Sequence, residues 1–125
     1  MRLLLDAHAL LWWLADDPSL DPAARTAIAD PANEVIVSAS TVWEIAIKRS
    51  LGKVTAPAGL AEVIEQAGFI EAPVTASDAE RAASLEPVHR DPFDRMLVAQ
   101  TSRLRAVLVT RDPVFGRYGV ATVPA

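Results

Sequence analysis

The stretch Arg2-Leu-Leu-Leu-Asp-Ala-His-Ala-Leu-Leu-Trp-Trp-Leu14 decides the architecture. Its first half is a short apolar run ending in an acid, the pattern of a strand buried on both faces. From about Ala7 to Leu14 it continues as a helix, stopped by Asp16-Asp17-Pro18. The same strand-then-helix unit recurs down the chain. Glu34-Val-Ile-Val-Ser38 reads as a second strand, followed by a helix capped by Ser40 or Thr41 and closed near Leu51-Gly52. Phe69-Ile-Glu-Ala-Pro73 is a weaker third strand, Ala106-Val-Leu-Val-Thr110 a fourth and Val120-Ala-Thr-Val123 a short fifth. Further helices are expected from Asp21-Pro22 to about Asp30, from about Ala58 to Gln66, from Ser77 to about Leu85 and from Phe93 to Arg103. Strands alternating with helices predict an α/β fold with a parallel sheet covered on both faces.

At 125 residues the chain has room for one domain, spanning 1–125, with no repeat and no low-complexity linker. A hydrophobic fraction of 51% excludes disorder. The absence of Cys excludes a disulfide scaffold, thiol catalysis and thiolate metal sites. Two histidines, His8 and His89, are too few for an imidazole-built zinc cluster. No apolar run is long enough to span a membrane, and the Ala9–Ala15 stretch lacks the basic flank of a signal peptide. A cytoplasmic protein is expected.

Four acids fall at the carboxyl edge of the expected sheet. Asp6 ends the first strand, Glu44 lies one turn into the helix after the second, Asp94 is in the first turn of the helix before the fourth, and Asp112 follows the fourth. That edge is where open α/β sheets bind ligands. Each acid also has a plain structural explanation. Asp6 can cap the first helix, Asp91-Pro92 and Asp112-Pro113 are helix-start dipeptides, and Glu44 can pair with Lys48 at i,i+4 on a wet face. Taken jointly, carboxylates at one edge repel one another unless some take up protons or a cation joins them. Hard oxygen ligands suit Mg²⁺ or Mn²⁺, ions of phosphoryl chemistry. No Gly-rich phosphate loop and no Ser-His-Asp arrangement competes with this reading.

Four blocks carry a family resemblance over essentially the whole chain. They are Leu3-Leu-Leu-Asp-Ala-His-Ala-Leu-Leu-Trp12, Ser40-Thr-Val-Trp-Glu-Ile-Ala-Ile-Lys-Arg-Ser-Leu-Gly-Lys53, His89-Arg-Asp-Pro-Phe-Asp-Arg-Met-Leu-Val-Ala-Gln100 and Leu108-Val-Thr-Arg-Asp112. In this order the sequence resembles the PIN-domain ribonucleases, and within them the VapC-type toxins of bacterial toxin–antitoxin modules. The resemblance implies a three-layer α/β/α sandwich around a short parallel sheet. It also implies Mg²⁺-dependent endoribonuclease activity, with Mn²⁺ as a possible substitute, and a cognate VapB-type antitoxin. Asp6, Glu44, Asp94 and Asp112 match the family's four acids in turn, as catalytic and metal-holding residues. Asp91 is a nearby acid not promoted over Asp94. The family often has Thr or Ser after its first Asp, whereas Ala7 stands here. Thr110 is the candidate to supply that hydroxyl.

A net charge of −4 at first argues against a nucleic-acid partner, but the cations are concentrated. All except Arg2, Arg25 and Arg81 lie in 48–53 or 90–117, which contain only the acids Asp91, Asp94 and Asp112. Lys48, Arg49, Arg95 and Arg111 are the candidates to hold an RNA backbone. His8 reads as a core or capping residue. Five consecutive large side chains, Leu10, Leu11, Trp12, Trp13 and Leu14, cannot all point inward on one helix. A surplus apolar groove beside Trp12, Trp13 and Trp43 is therefore expected to take the antitoxin, and the same excess suggests a homodimer. Two alternatives belong to other classes: a non-catalytic PIN-fold binding module, and a receiver-like regulatory domain with its own acidic pocket.

Overall fold

A computed structural model describes residues 1–125. Five strands form one sheet: β1 Arg2–Leu5, β2 Glu34–Ser38, β3 Ile70–Ala72, β4 Val107–Val109 and β5 Thr122–Val123. Six α-helices connect them: α1 Ala7–Leu14, α2 Pro22–Ala29, α3 Ala39–Ser50, α4 Leu60–Gln66, α5 Ala76–Ser84 and α6 Pro92–Leu104. The strand order is β3-β2-β1-β4-β5, and every pairing is parallel.

The β-branched and Leu-rich strands are apolar at successive positions because both faces are covered. Alternation along each strand assigns the residues. Leu3, Leu5, Val35, Val37 and Val109 pack with Ala9 and Leu10 of α1, Ala24 and Ile28 of α2, and Ile64 of α4. Leu4, Ile36 and Leu108 face the other way, onto Leu97 and Val98 of α6 and Phe115. The result is the expected three-layer α/β/α sandwich. Its chain order reverses at β1, which lies between β2 and β4, so the crevice opens beyond the carboxyl ends of these strands. The receiver-like alternative is contradicted: that fold has order 2-1-3-4-5, whereas β3 here is an edge strand.

Local differences from expectation have local causes. α3 begins at Ala39, because Ser38 takes the extended capping conformation and its Oγ accepts from the Ser40 amide at 3.1 Å. α4 begins after Gly59, whose left-handed backbone (φ 69°) favours glycine. α5 starts at Ala76 behind a reciprocal Thr75–Asp78 capping box. α6 gains Pro92 as its first residue, capped by Asp91. A short 3₁₀ helix at Pro113–Tyr118 was not anticipated. No helix is long and apolar enough to cross a membrane.

The tryptophans are arranged differently from expectation. Leu10 is buried, while Leu11, Trp12, Trp13 and Leu14 are all half-buried against the core, with Val54, Ala56 and Phe69 packed against the same cluster. Trp13 meets Phe69, and Trp12 lies between His8 and the Arg111 guanidinium, 4.4 Å from the ring centre. The surplus therefore does not form one groove with Trp43. Trp43 is 63% exposed, edge-on to Phe93, and lines a separate apolar groove of ≈ 420 Å³ with Val74, Pro92, Phe93 and Met96.

Candidate active site

The chain direction brings all four expected acids to one place. Asp6 leaves β1, Glu44 projects from α3, Asp94 lies in the first turn of α6, and Asp112 follows β4. With Asp91, His8 and Lys48 they line a cavity of ≈ 170 Å³. Five carboxylates thus face one ammonium.

Capping and site membership prove compatible. Asp6 is buried and caps α1, its Oδ1 accepting from the Ala9 amide at 2.8 Å. Burial pushes its carboxyl up, and Glu44 adds to this, against the Thr110 hydroxyl and the Ala9 amide, which favour the anion. Thr110 thus stands beside Asp6, as the Ala7 substitution led us to expect. Asp91 caps α6, accepting from the amides of Phe93 and Asp94 at 2.8 and 3.3 Å. Asp112 caps the 3₁₀ helix, accepting from Val114 at 3.0 Å, while its own amide donates to Thr110 Oγ1 at 3.1 Å.

Glu44 does pair with Lys48, at 2.7 Å, but not on a wet face: it is 5% exposed. The hydrogen bond to Glu44 holds the Lys48 ammonium above its usual range, and Asp91 and Asp94 reinforce this. Asp94 is pushed up to about 6, first by burial, then by Asp91 and Glu44, with the His89 hydrogen bond working the other way. His89 Nε2 lies 2.7 Å from Asp94 Oδ2. One ligand atom each from His89, Asp94 and Asp112 fall within 4.8 Å of one another.

This donor set fits a divalent cation. Carboxylates are gathered at short range in a half-closed cavity with a single cationic partner, and two of them are held toward the neutral form. A cation removes that penalty, and oxygen-rich ligation suits Mg²⁺ or Mn²⁺. Asp6, Glu44, Asp94 and Asp112 could hold it, with His89 and Asp91 beside them.

Two expected RNA-binding cations have work within the chain. Arg95 donates to the carbonyls of Ala82, Ala83, Leu85, Glu86 and His89, closing the end of α5 and the following loop. Arg111 donates to the carbonyls of Ala125 and Ser19 and stacks on Trp12. A guanidinium has five N–H donors in a fixed fork, and five carbonyls engage that of Arg95 fully, whereas Arg111 donates through Nε and Nη2 alone. Lys48 remains at the cavity wall, and the exposed Arg49 makes one bond, to the Ala56 carbonyl at 2.9 Å. His8 is exposed at the cavity, stacked on Trp12, and is not a core residue. Sequence reasoning missed His89. It lies in a loop, five residues before Asp94, with no helical spacing to tie the two together.

Comparison with known proteins places the chain further. The PIN domain family matches residues 3–121. No curated protein matches in sequence. Among solved structures, VapBC2 from Rickettsia felis, bound to a DNA fragment from their promoter, superposes with a TM-score of 0.70 at 12% identity, covering 100% of this chain and 99% of that one. FitAcB from Neisseria gonorrhoeae gives 0.63 at 20% identity, covering 96% and 95%. FitAB bound to the IR36 DNA fragment gives 0.63 at 16% identity, covering 98% and 94%. At these identities the superpositions establish a shared fold.

Proposed function

Because the chain belongs to the PIN-domain family, whose members are generally nucleases, we propose that it is a Mg²⁺-dependent endoribonuclease, the toxin of a toxin–antitoxin module working in the cytoplasm. The whole span 1–125 acts as one catalytic domain. The observation that carries the reading is the acid-lined cavity at the point where the strand order reverses. The reaction is hydrolysis of an RNA phosphodiester.

In this reading Asp6 and Asp94 hold the ion, and Glu44 and Asp112 complete or orient the site. The chemistry supplied by a bound Mg²⁺, or Mn²⁺ in its place, is polarisation of the phosphate and acidification of the attacking water. The protein contributes preorganisation. Asp6 and Asp112 are fixed by the helix starts they cap, and Glu44 is fixed by Lys48. Such fixed groups need no reorganisation when charge develops on the phosphate. Lys48 at the wall and Arg49 beside it would meet the RNA backbone. Arg95 and Arg111 support the site by holding its loops.

The partners in this reading are RNA, a cognate VapB-type antitoxin and a second copy of the chain. The structural neighbours include VapBC2 and FitAB assemblies, which supports an antitoxin. Consecutive residues of α3 and α6 line the two sites: Trp43 and Phe93 the exposed apolar groove, Glu44 and Asp94 the acid cavity. An amphipathic antitoxin segment seated there could reach the carboxylates with an Arg or Lys and compete with the cation.

The test is incubation of the purified chain, freed of partner, with labelled RNA. Cleavage should require Mg²⁺, stop in EDTA and return on adding Mg²⁺ or Mn²⁺. Undiminished cleavage in EDTA after dialysis would indicate a nuclease without a metal. Absence of cleavage under every condition would favour the binding-module alternative.

A further inference from the structure

We propose that His89 is a positioning residue, which holds the Asp94 carboxylate in the orientation that leaves its second oxygen for the cation. The inference rests on the metal-dependent reading of the cavity and adds a residue to it. An ionised carboxylate only accepts, so the His89 Nε2–H donates to Asp94 Oδ2 across 2.7 Å. No protein group donates to the other oxygen, Oδ1, and Asp94 lines the cavity. A carboxylate in the first turn of a helix can rotate about its side-chain bonds. Fixing one of its oxygens removes that freedom before any cation arrives.

The loop that carries His89 is itself built to place the ring. The His89 amide donates to Tyr118 Oη at 2.9 Å, and its carbonyl accepts from Arg95 Nη1 at 3.1 Å. Arg95 also gathers the carbonyls of Leu85 and Glu86, which lead into the loop. Tyr118 ends the 3₁₀ helix that Asp112 begins. The backbone of one residue is therefore tied to α6 and to the segment following Asp112, and its ring to Asp94. Groups that orient metal ligands in this way are worth roughly 10–100-fold in metal affinity.

The test is Mn²⁺ binding to the full chain, followed by the electron paramagnetic resonance signal of the free ion, with folding checked by circular dichroism. His89→Ala should weaken Mn²⁺ binding roughly 10–100-fold. His89→Gln, whose amide can donate to Oδ2, should stay within about threefold of the parent. If His89→Ala does not fold, His89→Asn, whose amide is too short to reach Oδ2, takes its place. Parent-like affinity in the Ala or Asn variant would overturn the proposal. An equal loss in the folded His89→Gln variant would also overturn it, because the imidazole would then be needed as a ligand. If the parent binds no Mn²⁺, the metal reading of the cavity fails first, and the parent titration alone reveals it.

Discussion

Asp94 carries the electrostatic cost of the cavity. Its carboxyl rises from 3.8 to about 6, mainly through burial and the nearby Asp91. A carboxyl raised in the folded state contributes stability that is present below its unfolded pKa and lost as pH rises through the folded one. At about 1.4 kcal/mol per unit, the chelated protein should lose on the order of 2–3 kcal/mol between about pH 4 and pH 7 from this group. Asp94→Asn removes the charge and keeps the shape. Thermal melts in EDTA should therefore show the variant more stable than the parent by several degrees near pH 7, with the difference fading toward pH 4. A variant less stable at pH 7 would contradict the assigned burden. Arg95 gives the opposite kind of prediction. Its five carbonyl partners predict a loss of about 2–3 kcal/mol for Arg95→Leu, read by urea denaturation. At this scale the sequence was only half legible. Asp6, Asp94 and Asp112 could be placed because each sits at a recognisable strand or helix end. The burial of Glu44 and the contact of His89 with Asp94 depend on tertiary packing, which has no local pattern. The carbonyl contacts of Arg95 and Arg111 were illegible for the same reason: an Arg that binds distant carbonyls looks in sequence like an Arg that faces solvent.

Among the elements, the strands were the most legible, because β-branched runs bounded by turn residues have few other uses. Helix starts were displaced by up to three residues where several hydroxyl residues competed to cap, as at Ser38-Ala39-Ser40-Thr41 and Thr75-Ala76-Ser77. The chosen cap is in each case a hydroxyl residue whose backbone is extended. α1 was the largest surprise. Its surplus apolar side chains were expected to form one groove with Trp43, but Arg111 stacks on Trp12 and Phe69 meets Trp13. The exposed apolar face belongs instead to α3 and α6, at Trp43 and Phe93. Trp43→Glu should therefore weaken antitoxin binding at least tenfold in a titration, without changing the fold. The same variant run on a sizing column reports whether the groove serves the homodimer instead. Unchanged affinity together with unchanged mass would show that the groove takes neither partner.

For the whole molecule, parallel topology does the organising. Every strand points the same way, so every strand exit lies at one edge, and acids far apart in sequence converge there without any one segment encoding the cluster. That convergence was legible from the alternation of strands and helices alone. The strand order β3-β2-β1-β4-β5 was not, since the alternation fits several doubly wound arrangements. The central claim is that this edge is a metal-dependent ribonuclease centre. Its most direct test is the initial rate of labelled-RNA cleavage at saturating Mg²⁺, comparing the partner-free parent with Asp94→Asn. The account predicts a fall of roughly a hundredfold or more in a folded variant. Cleavage by Asp94→Asn at the parent rate would contradict it.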